Sequence, residues 1–495
     1  MSNMVDKVVG FFNPRAGLTR HYDRQLLNKY KAAQPKNPIT KRPNKSSKGS
    51  ANLQNTGAKA VYERARYMDE NNPFVTGMLD ELCANVVGPN GIMIEPQPLT
   101  KKGEVHIEFA QAISKWLETY QLNQNIDGEH SRGETEWLAA RTWLRDGEVF
   151  ARMYMGHHGE LLYPTATPFA VQPFEPDYVP HRITEHEGNL LEGIKRNKLG
   201  QLISVLIQTD AQGFEFAEVD AAFICHLKFE RRLHQNRGIS LFHSVLDLID
   251  DIEDYDQSER VSAQIASRFA YFIKSDANSN DAIDRSDDVF LGMGNSFDLA
   301  PGEDAGVVES NRKEAMSAPF RDAQLRLAST GVGVNNSSVT RDYSNGSYSA
   351  QRQELVDSFA RYRVLQRKFV VSWTRPQYRK ALQMAVLSGQ LKPPRNLDMN
   401  SLLNAIYQAP VMPWIDPAKE MNGIEKGTRL SLFSLSHAQR ERNINPLSTR
   451  QEIQSERKQM NDMGIVSQSD PANSLANEVT SHVKVNDKGE GVIDA

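Results

Sequence analysis

The 495-residue chain has little cysteine: Cys83 and Cys225 are its only two. Two thiols build neither a disulfide framework nor a four-ligand zinc site. Both sit among apolar neighbours, where a buried reduced thiol is expected. No apolar run approaches the ~18 residues that cross a bilayer. The opening stretch "MSNMVDKVVGFFNPRAG" holds an apolar patch of Val8, Val9, Phe11 and Phe12. That patch is too short for a signal-peptide core and is followed by no small-residue cleavage site, so it reads as a short helix or docking segment. An excess of positive charge is missing as well: 58 Lys and Arg stand against 62 Asp and Glu, a formal charge of −4. A protein that grips phosphates usually carries a basic excess. Any contact with nucleic acid is therefore loose or confined to local patches.

Several catalytic signatures are also missing. No glycine-rich loop ends in Lys-Ser/Thr, as an ATP motor needs for its backbone amides to cradle phosphates; "SSKGS" lacks the frame. His157 and His158 are adjacent and cannot share a helical face as a zinc hydrolase requires, and His181 and His186 lie in a turn-rich stretch. The serines of "YSNGSYSAQ" have neither the Gly-x-Ser-x-Gly frame nor a preceding strand. They read as turn and cap residues, with Ser349 as the expected cap of the helix that follows. No metal, cofactor or catalytic residue is expected.

What is present falls into segments of distinct texture. No carboxylate occurs between Asp23 and Glu63, while Lys29, Lys31, Lys36, Lys41, Arg42, Lys45, Lys48 and Lys59 accumulate among prolines and serines. Residues 1–59 thus read as a flexible basic arm, either a linker or a segment that binds nucleic acid or a partner. From residue 60 the periodicity predicts a helix, a break at Asn72-Pro73, and a second helix with Val75, Met78, Leu79, Leu82 and Val86 on one face. Amphipathic helices follow over 105–120 and 134–145, then the strand "EVFARMYM" and a turn-rich stretch with the short strands "LISVLIQ" and "AAFICHLKF". The fold class is α+β, mainly helical.

From Ser240 a long helical pattern begins with no Gly or Pro. Asp247, Asp250, Asp251 and Asp254 form an acidic stripe along it. The stripe is a metal-binding carboxylate cluster, a solvated face, as four Asp with no partner His usually are, or the wall of a channel through which a polyanion slides, since like charge weakens phosphate contact. A loop-rich insert, a helix ended by Gly331 and Gly333, and the polar loop "RDYSNGSYS" come next. A helix with Leu355, Phe359, Tyr362, Phe369 and Trp373 on one face then runs up to Pro376. It carries Arg352, Arg361, Arg363, Arg367 and Lys368, which are either solvated or in contact with nucleic acid. The tail "MPWIDPAKE…" adds further helices, and from Ser467 the composition reads as disordered.

Several of these stretches, in order, resemble the lambda-type bacteriophage portal proteins. "YERARYMDENNPFVTGMLDELCANVVG" carries Arg-x-Arg, Asn-Asn and Asn-Val-Val-Gly. "RLHQNRGIS" carries Arg-x-x-Gln-x-Arg-Gly-x-Ser before a long helix. "LAPGED", "ASTGVGV", "DYSNGSYSAQRQE", "RPQYRKALQMAVLSGQL" and the Trp-x-Asp-Pro-x-Lys-Glu of "WIDPAKE" follow. The similarity covers roughly residues 20–465.

The resemblance implies a structural, non-enzymatic virion protein: a dodecameric ring at one capsid vertex, present in the host cytoplasm during assembly. Double-stranded DNA passes through it without sequence preference during packaging and ejection. The terminase large subunit supplies the power, and the major capsid protein, scaffold and neck or adaptor proteins are the other partners; no membrane is involved. It implies a wing over 60–240, a first stem helix over 241–275, a clip over 276–315 and a second stem helix over 316–332. A tunnel loop over 333–348, a long helix and wing return over 349–399, a helical crown region over 400–466 and a tail over 467–495 complete it. Arg341, Tyr343, Ser344, Asn345, Ser347 and Tyr348 would face DNA, and the four aspartates are channel-wall candidates. A ring also accounts for the modest core, with Trp116, Trp137 and Trp143 serving either as interface anchors or in the core. Two rival readings remain: a metal-dependent enzyme on nucleic acid, and another capsid or neck protein that threads no DNA.

Overall fold

The computed structural model describes residues 57–159, 161–181, 183–184, 189–210, 215–267, 271–275, 303–307, 317–344, 347–412, 416–465, 483–485 and 491–493. The basic arm before Gly57, most of the 276–315 insert, and Asn345 lie outside them.

Helix α1 (Ala58–Asn71) ends where Asn72 turns extended, and the Asn72 side chain then caps α2 (Pro73–Val86) by accepting from Phe74 N and Val75 N. Proline at the first position of α2 gives up only an amide that has no helical partner there. Val75, Met78, Leu79, Leu82 and Val86 are all buried, the face expected from the periodicity. Strand β1 (Met93–Pro96) is followed by α3 (Ile107–Tyr120) and α4 (Arg132–Asp146). A Ser131–Glu134 capping box fixes the start of α4, and Gly147 in the left-handed region ends it.

Strands β2 (Glu148–Met155) and β3 (Phe169–Phe174) begin a three-stranded antiparallel sheet. Strands β4 (Leu190–Leu191), β5 (Ile194–Arg196), β6 (Leu202–Gln208) and β7 (Phe216–Asp220) form a four-stranded meander. Strand β8 (Ile224–Lys228) returns to the first sheet beside β2. Phe150, Val179, Ile194, Val205, Ile207, Val219 and Ile224 make a small second core under the meander.

Helix α5 (Leu246–Ser267) follows a short 3-10 turn at Leu241–Ser244. The long helix expected through residue 275 is shorter than that: Tyr271–Ser275 is strand β9, antiparallel to β10 (Glu303–Val307). The β-rich run "YFI" follows helical sequence with no glycine or proline between, so nothing local marked the change. Helix α6 (Ser317–Val332) then packs antiparallel to α5. Leu241, Phe242, Val245, Leu246 and Ile249 at one end of this pair, and Ala328 and Val332 opposite them, belong to the main core. The far end of α5, from Glu253 to Gln264, is largely exposed. There Arg321 grips both carboxylate oxygens of Asp256 at 2.8 and 2.9 Å, and Phe320 meets Tyr255 edge-on.

Helix α7 (Asn336–Thr340) precedes α8 (Tyr348–Phe369), a π-helical turn at Val370–Thr374, and α9 (Arg375–Leu387). The helix therefore continues past Pro376 and does not end before it. The proline sits in the first turn of α9, immediately after the widened turn, where the ladder is already reset. Phe359, Tyr362, Leu365, Phe369 and Trp373 are buried and form one wall of the main core.

Strand β11 (Ala405–Gln408) pairs antiparallel with β1, so the 400–466 region is not purely helical. Helices α10 (Pro417–Arg429), α11 (Leu435–Arg440) and α12 (Pro446–Asp462) follow. Glu95 of β1, fully buried, receives both Nε and Nη2 of Arg440 at 2.8 and 3.0 Å, which ties this region to the body. Within the segment expected to lack order, Val483–Val485 (β12) pairs with Gly491–Ile493 (β13).

Both cysteines are free and buried, as expected; burial pushes both thiols up to about 12. Trp143 is fully buried, and Trp116 and Trp137 pack partly buried against the core.

Candidate nucleic-acid interface

The polar loop after α6 is shorter than 333–348. Gly333, at φ +85°, ends α6: its amide and that of Val334 both donate to Ser329 O, at 2.7 and 3.1 Å. Helix α7 occupies the first half of the expected loop and is pinned from two sides. Val339 contacts Gly77 of α2, and Ser337 Oγ donates to Glu354 Oε2 of α8 at 2.7 Å. Arg341, at φ +55°, terminates α7, so what stands clear of the body begins there. In this remainder Asp342 Oδ1 accepts from Ser344 N and Oγ at 3.0 and 2.6 Å, a tight Asx turn. Gln351 Nε2 returns to Tyr343 O at 3.0 Å.

Arg341, Tyr343, Ser344 and Ser347 are all exposed, with Tyr343 54% accessible. Tyr348 is the first residue of α8. The cap of α8 is Ser347, whose Oγ accepts from Ala350 N, and not Ser349. Ser347 alone has the extended backbone that a cap requires, while Ser349 is already within the first turn. The loop thus offers hydroxyls, a phenol, one guanidinium and the Asp342 carboxylate at the start of a helix 22 residues long. That set can touch a phosphate backbone and carries no catalytic group.

The acidic stripe on α5 divides in two. Asp247 and Asp250 both accept from Arg64 Nη2 of α1, at 3.0 and 2.6 Å. Asp251 and Asp254, further along, are exposed. Asp251 also borders a groove of about 340 Å³ between α5 and α6, lined by Leu248, Ile252, Tyr255, Phe320 and Arg321. Sequence reasoning could not see this division, because Arg64 lies more than 180 residues upstream.

The recurring motif residues do structural work. Arg66 reaches Asp146, Glu175 and Asp177 at 2.7, 3.2 and 2.6 Å. Arg237 is fully buried; its Nε donates to Glu148 Oε1 at 2.6 Å, and its Nη atoms reach the carbonyls of Val179, Glu192 and Pro176. Glu148 Oε2 accepts from Gly238 N at 2.8 Å and meets His226 Nε2 at 2.9 Å. Burial opposes ionisation of Glu148, but the Arg237 charge and the His226 hydrogen bond outweigh it and hold this carboxyl well below the usual range. Burial lowers His226 to about 4 against the pull of Glu148, and lowers His181 to about 3 with help from the Arg237 charge. Both imidazoles are therefore neutral near pH 7.

This network sits where α4 meets β2, the turn that carries Arg237 and the entry to α5. Gly147 and Gly238 face each other there: a Cβ on either would lie 2.1 Å from the opposite backbone. The network ties the segment that leads into α5 to the α4–β2 junction. Further on, Asp416 of the tail motif caps α10 and Glu420 pairs with Arg442 at 2.6 Å.

Among the described residues a single cluster has the spacing to hold a metal ion: Asp127, Glu129 and His130. It lies on a turn before α4, with both carboxylates exposed. No converging buried carboxylates of a nuclease centre are found among the described residues.

The model of the family described as phage portal protein, lambda family, matches residues 37–366. That span holds α1 through most of α8, including the α5–α6 pair and the polar loop. The chain belongs to the lambda family of phage portal proteins. A probable portal protein of Halomonas phage phiHAP-1 is 24% identical over 430 residues, covering 81% of each chain. Portal protein B of Escherichia phage lambda is 25% identical over 163 residues, 28% of this chain and 30% of its own. A chain from the neck of a native GTA particle, computed with C12 symmetry, is 13% identical; it covers 76% of this chain and 92% of its own, with a TM-score of 0.45. Portal proteins are structural components of the capsid and not enzymes, which agrees with the chemistry missing from this sequence.

Proposed function

We propose that twelve copies of this portal protein close into a ring at one capsid vertex, and that double-stranded DNA passes through the ring during packaging and ejection. The observation that carries this reading is the family match over 37–366, together with the order of elements inside it: outgoing helix, insert, returning helix, polar loop, long helix. In this assignment 60–240 is the wing, α5 and α6 are the stem, and 276–315 is the clip. The tunnel loop is the exposed part of 333–348, the 349–399 segment returns to the wing, and 400–466 forms the crown. Arg341, Tyr343, Ser344, Asn345, Ser347 and Tyr348 face DNA. The exposed acids Asp251 and Asp254 line the channel, with Asp247 and Asp250 held back by Arg64.

A loop of hydroxyls with one cation, Arg341, beside one anion, Asp342, contacts phosphates weakly enough for DNA to slide, as translocation demands. The clip end receives the terminase large subunit and afterwards the neck or adaptor proteins. The wing meets the major capsid protein and scaffold. The site is the virion vertex, reached from the host cytoplasm, and no helix of the described residues is long and apolar enough to cross a membrane.

Mass photometry of the purified protein tests the assembly. Twelve chains of 55.7 kDa give a particle of about 670 kDa. A species at that mass, or one or two subunits away, supports the reading. A protein that remains monomeric or dimeric from low to high salt refutes it.

A further inference from the structure

The long helix carries a surface that the fold leaves largely exposed, with Arg363 at the edge of a cleft shared with β11 and α11. Val356, Ala360, Val364, Arg367, Val371, Arg375 and Arg379 are all exposed and follow one another at three- and four-residue steps along α8, the π turn and α9, with exposed Arg363 beside Val364. Val364 is 68% and Val371 49% accessible, although burial of apolar side chains is favourable in proportion to their area. None of Arg363, Arg367, Arg375 and Arg379 forms an ion pair among the described residues. Elsewhere in the body Arg66, Arg141, Arg145 and Arg237 are each paired with carboxylates. The stripe from Arg363 to Arg379 spans about 24 Å at 1.5 Å per residue.

A DNA-facing surface would pair arginines with other polar donors. Here the arginines alternate with valines, the composition of a protein interface, where Arg is enriched around an apolar centre. A complementary surface exists on the same chain. Along α1, Glu63, Tyr67 and Glu70 share one exposed face, with Tyr67 61% accessible; the nearby α4 adds Leu138 at 49%. Among the described residues Glu63 has only an exposed 3.7 Å pair with Lys59. A closed ring needs two different, mutually complementary surfaces on each subunit.

We infer that the arginine–valine stripe of α8 and α9 docks on the Glu63–Tyr67–Glu70 face of α1 in the next copy of this chain. In the joint, Tyr67 lies among Val364 and Val371, flanked by carboxylate–guanidinium pairs. The inference rests on the ring reading above and names the surfaces that close it.

Charge reversal tests it in the full-length protein, with wild type run alongside; if wild type forms no ring, it is the ring reading that fails. Where wild type assembles, R363E/R367E is expected to remove the ring peak in mass photometry while circular dichroism stays that of the folded subunit. E63K/E70K alone is expected to do the same. Mixing the two variants is expected to recover rings of alternating subunits, because each joint then pairs two reversed faces or two wild-type faces. Combining all four changes in one chain is expected to restore rings at no more than a few times the wild-type assembly concentration. V364D, whose site is exposed in the subunit, gives a second way to break the joint without unfolding it. Rings that persist in R363E/R367E and V364D overturn the inference, and so do rings that persist with weakened DNA binding, which would make the stripe a DNA face. Failure of the fourfold variant to recover overturns the assignment of Glu63 and Glu70 as the partners.

Discussion

Replacing Arg237 with Met should be among the most damaging single changes in the molecule. The side chain is fully buried, its Nε lies 2.6 Å from Glu148 Oε1, and its Nη atoms serve three backbone carbonyls at 2.9–3.2 Å. Methionine fills most of the volume, so the loss is electrostatic. Breaking a buried pair by removing one partner costs about 3–5 kcal/mol, because the other charge is left uncompensated. Glu148 keeps Gly238 N and His226, so the lower half of that range is expected, roughly 3 kcal/mol. The orphaned carbonyls add to it. Against a total stability of ~5–15 kcal/mol this threatens folding.

The assay is urea unfolding followed by circular dichroism, at fixed protomer concentration below assembly so that subunit binding does not contribute. E148Q/R237M completes the cycle: it removes both charges and should be less destabilised than the two single variants summed, by about 1–3 kcal/mol. The pH sign gives an independent check. With Arg237 gone, Glu148 titrates upward, so the deficit of R237M should narrow as pH falls and the carboxyl protonates. A loss under about 1 kcal/mol, or strict additivity in the cycle, would refute the claim that this network braces the exit of α5.

Three further outcomes follow from the same geometry. His226 and His181 are held neutral by burial, at about 4 and about 3 against 6.5 in the open chain. Between those values the unfolded chain binds more protons, so stability is full above pH 6.5 and falls toward pH 4, by up to roughly 3 kcal/mol per histidine; H226Q should flatten part of a urea-midpoint profile over that window. Either G147A or G238A should yield insoluble or unfolded protein on expression, since the added Cβ would lie 2.1 Å from backbone that cannot move aside; soluble protein with wild-type melting would contradict the packing described. S347A should cost the start of α8 about 1 kcal/mol and speed amide exchange over 348–351, whereas S349A should change little.

Much of the helical framework was legible because apolar spacing alone sets which face is buried. Val75 to Val86 of α2, and Phe359 to Trp373 of the long helix, occupy the core as their periodicity required. Strand β9 was hidden because "YFI" follows α5 without a breaking residue, and its partner β10 lies about 30 residues away. The portal motifs were legible as a pattern but not as physics. Arg64, Arg66 and Arg237 turn out to be braces whose acidic partners lie 80 to 186 residues away, beyond any local signal. The same distance concealed the pairing of Asp247 and Asp250, and so made a four-residue acidic wall look bare. Ser347 was missed as a cap because Ser349 has the same chemistry, and only the backbone angle separates them.

The most direct measurement is a cryo-electron microscopy reconstruction of the assembled protein, viewed along its symmetry axis. The account predicts a closed ring of twelve subunits around an open channel, with α5 and α6 forming its wall and residues 341–347 projecting into the lumen. A shell, a filament, or a ring with the 341–347 loop on its outer rim would contradict it.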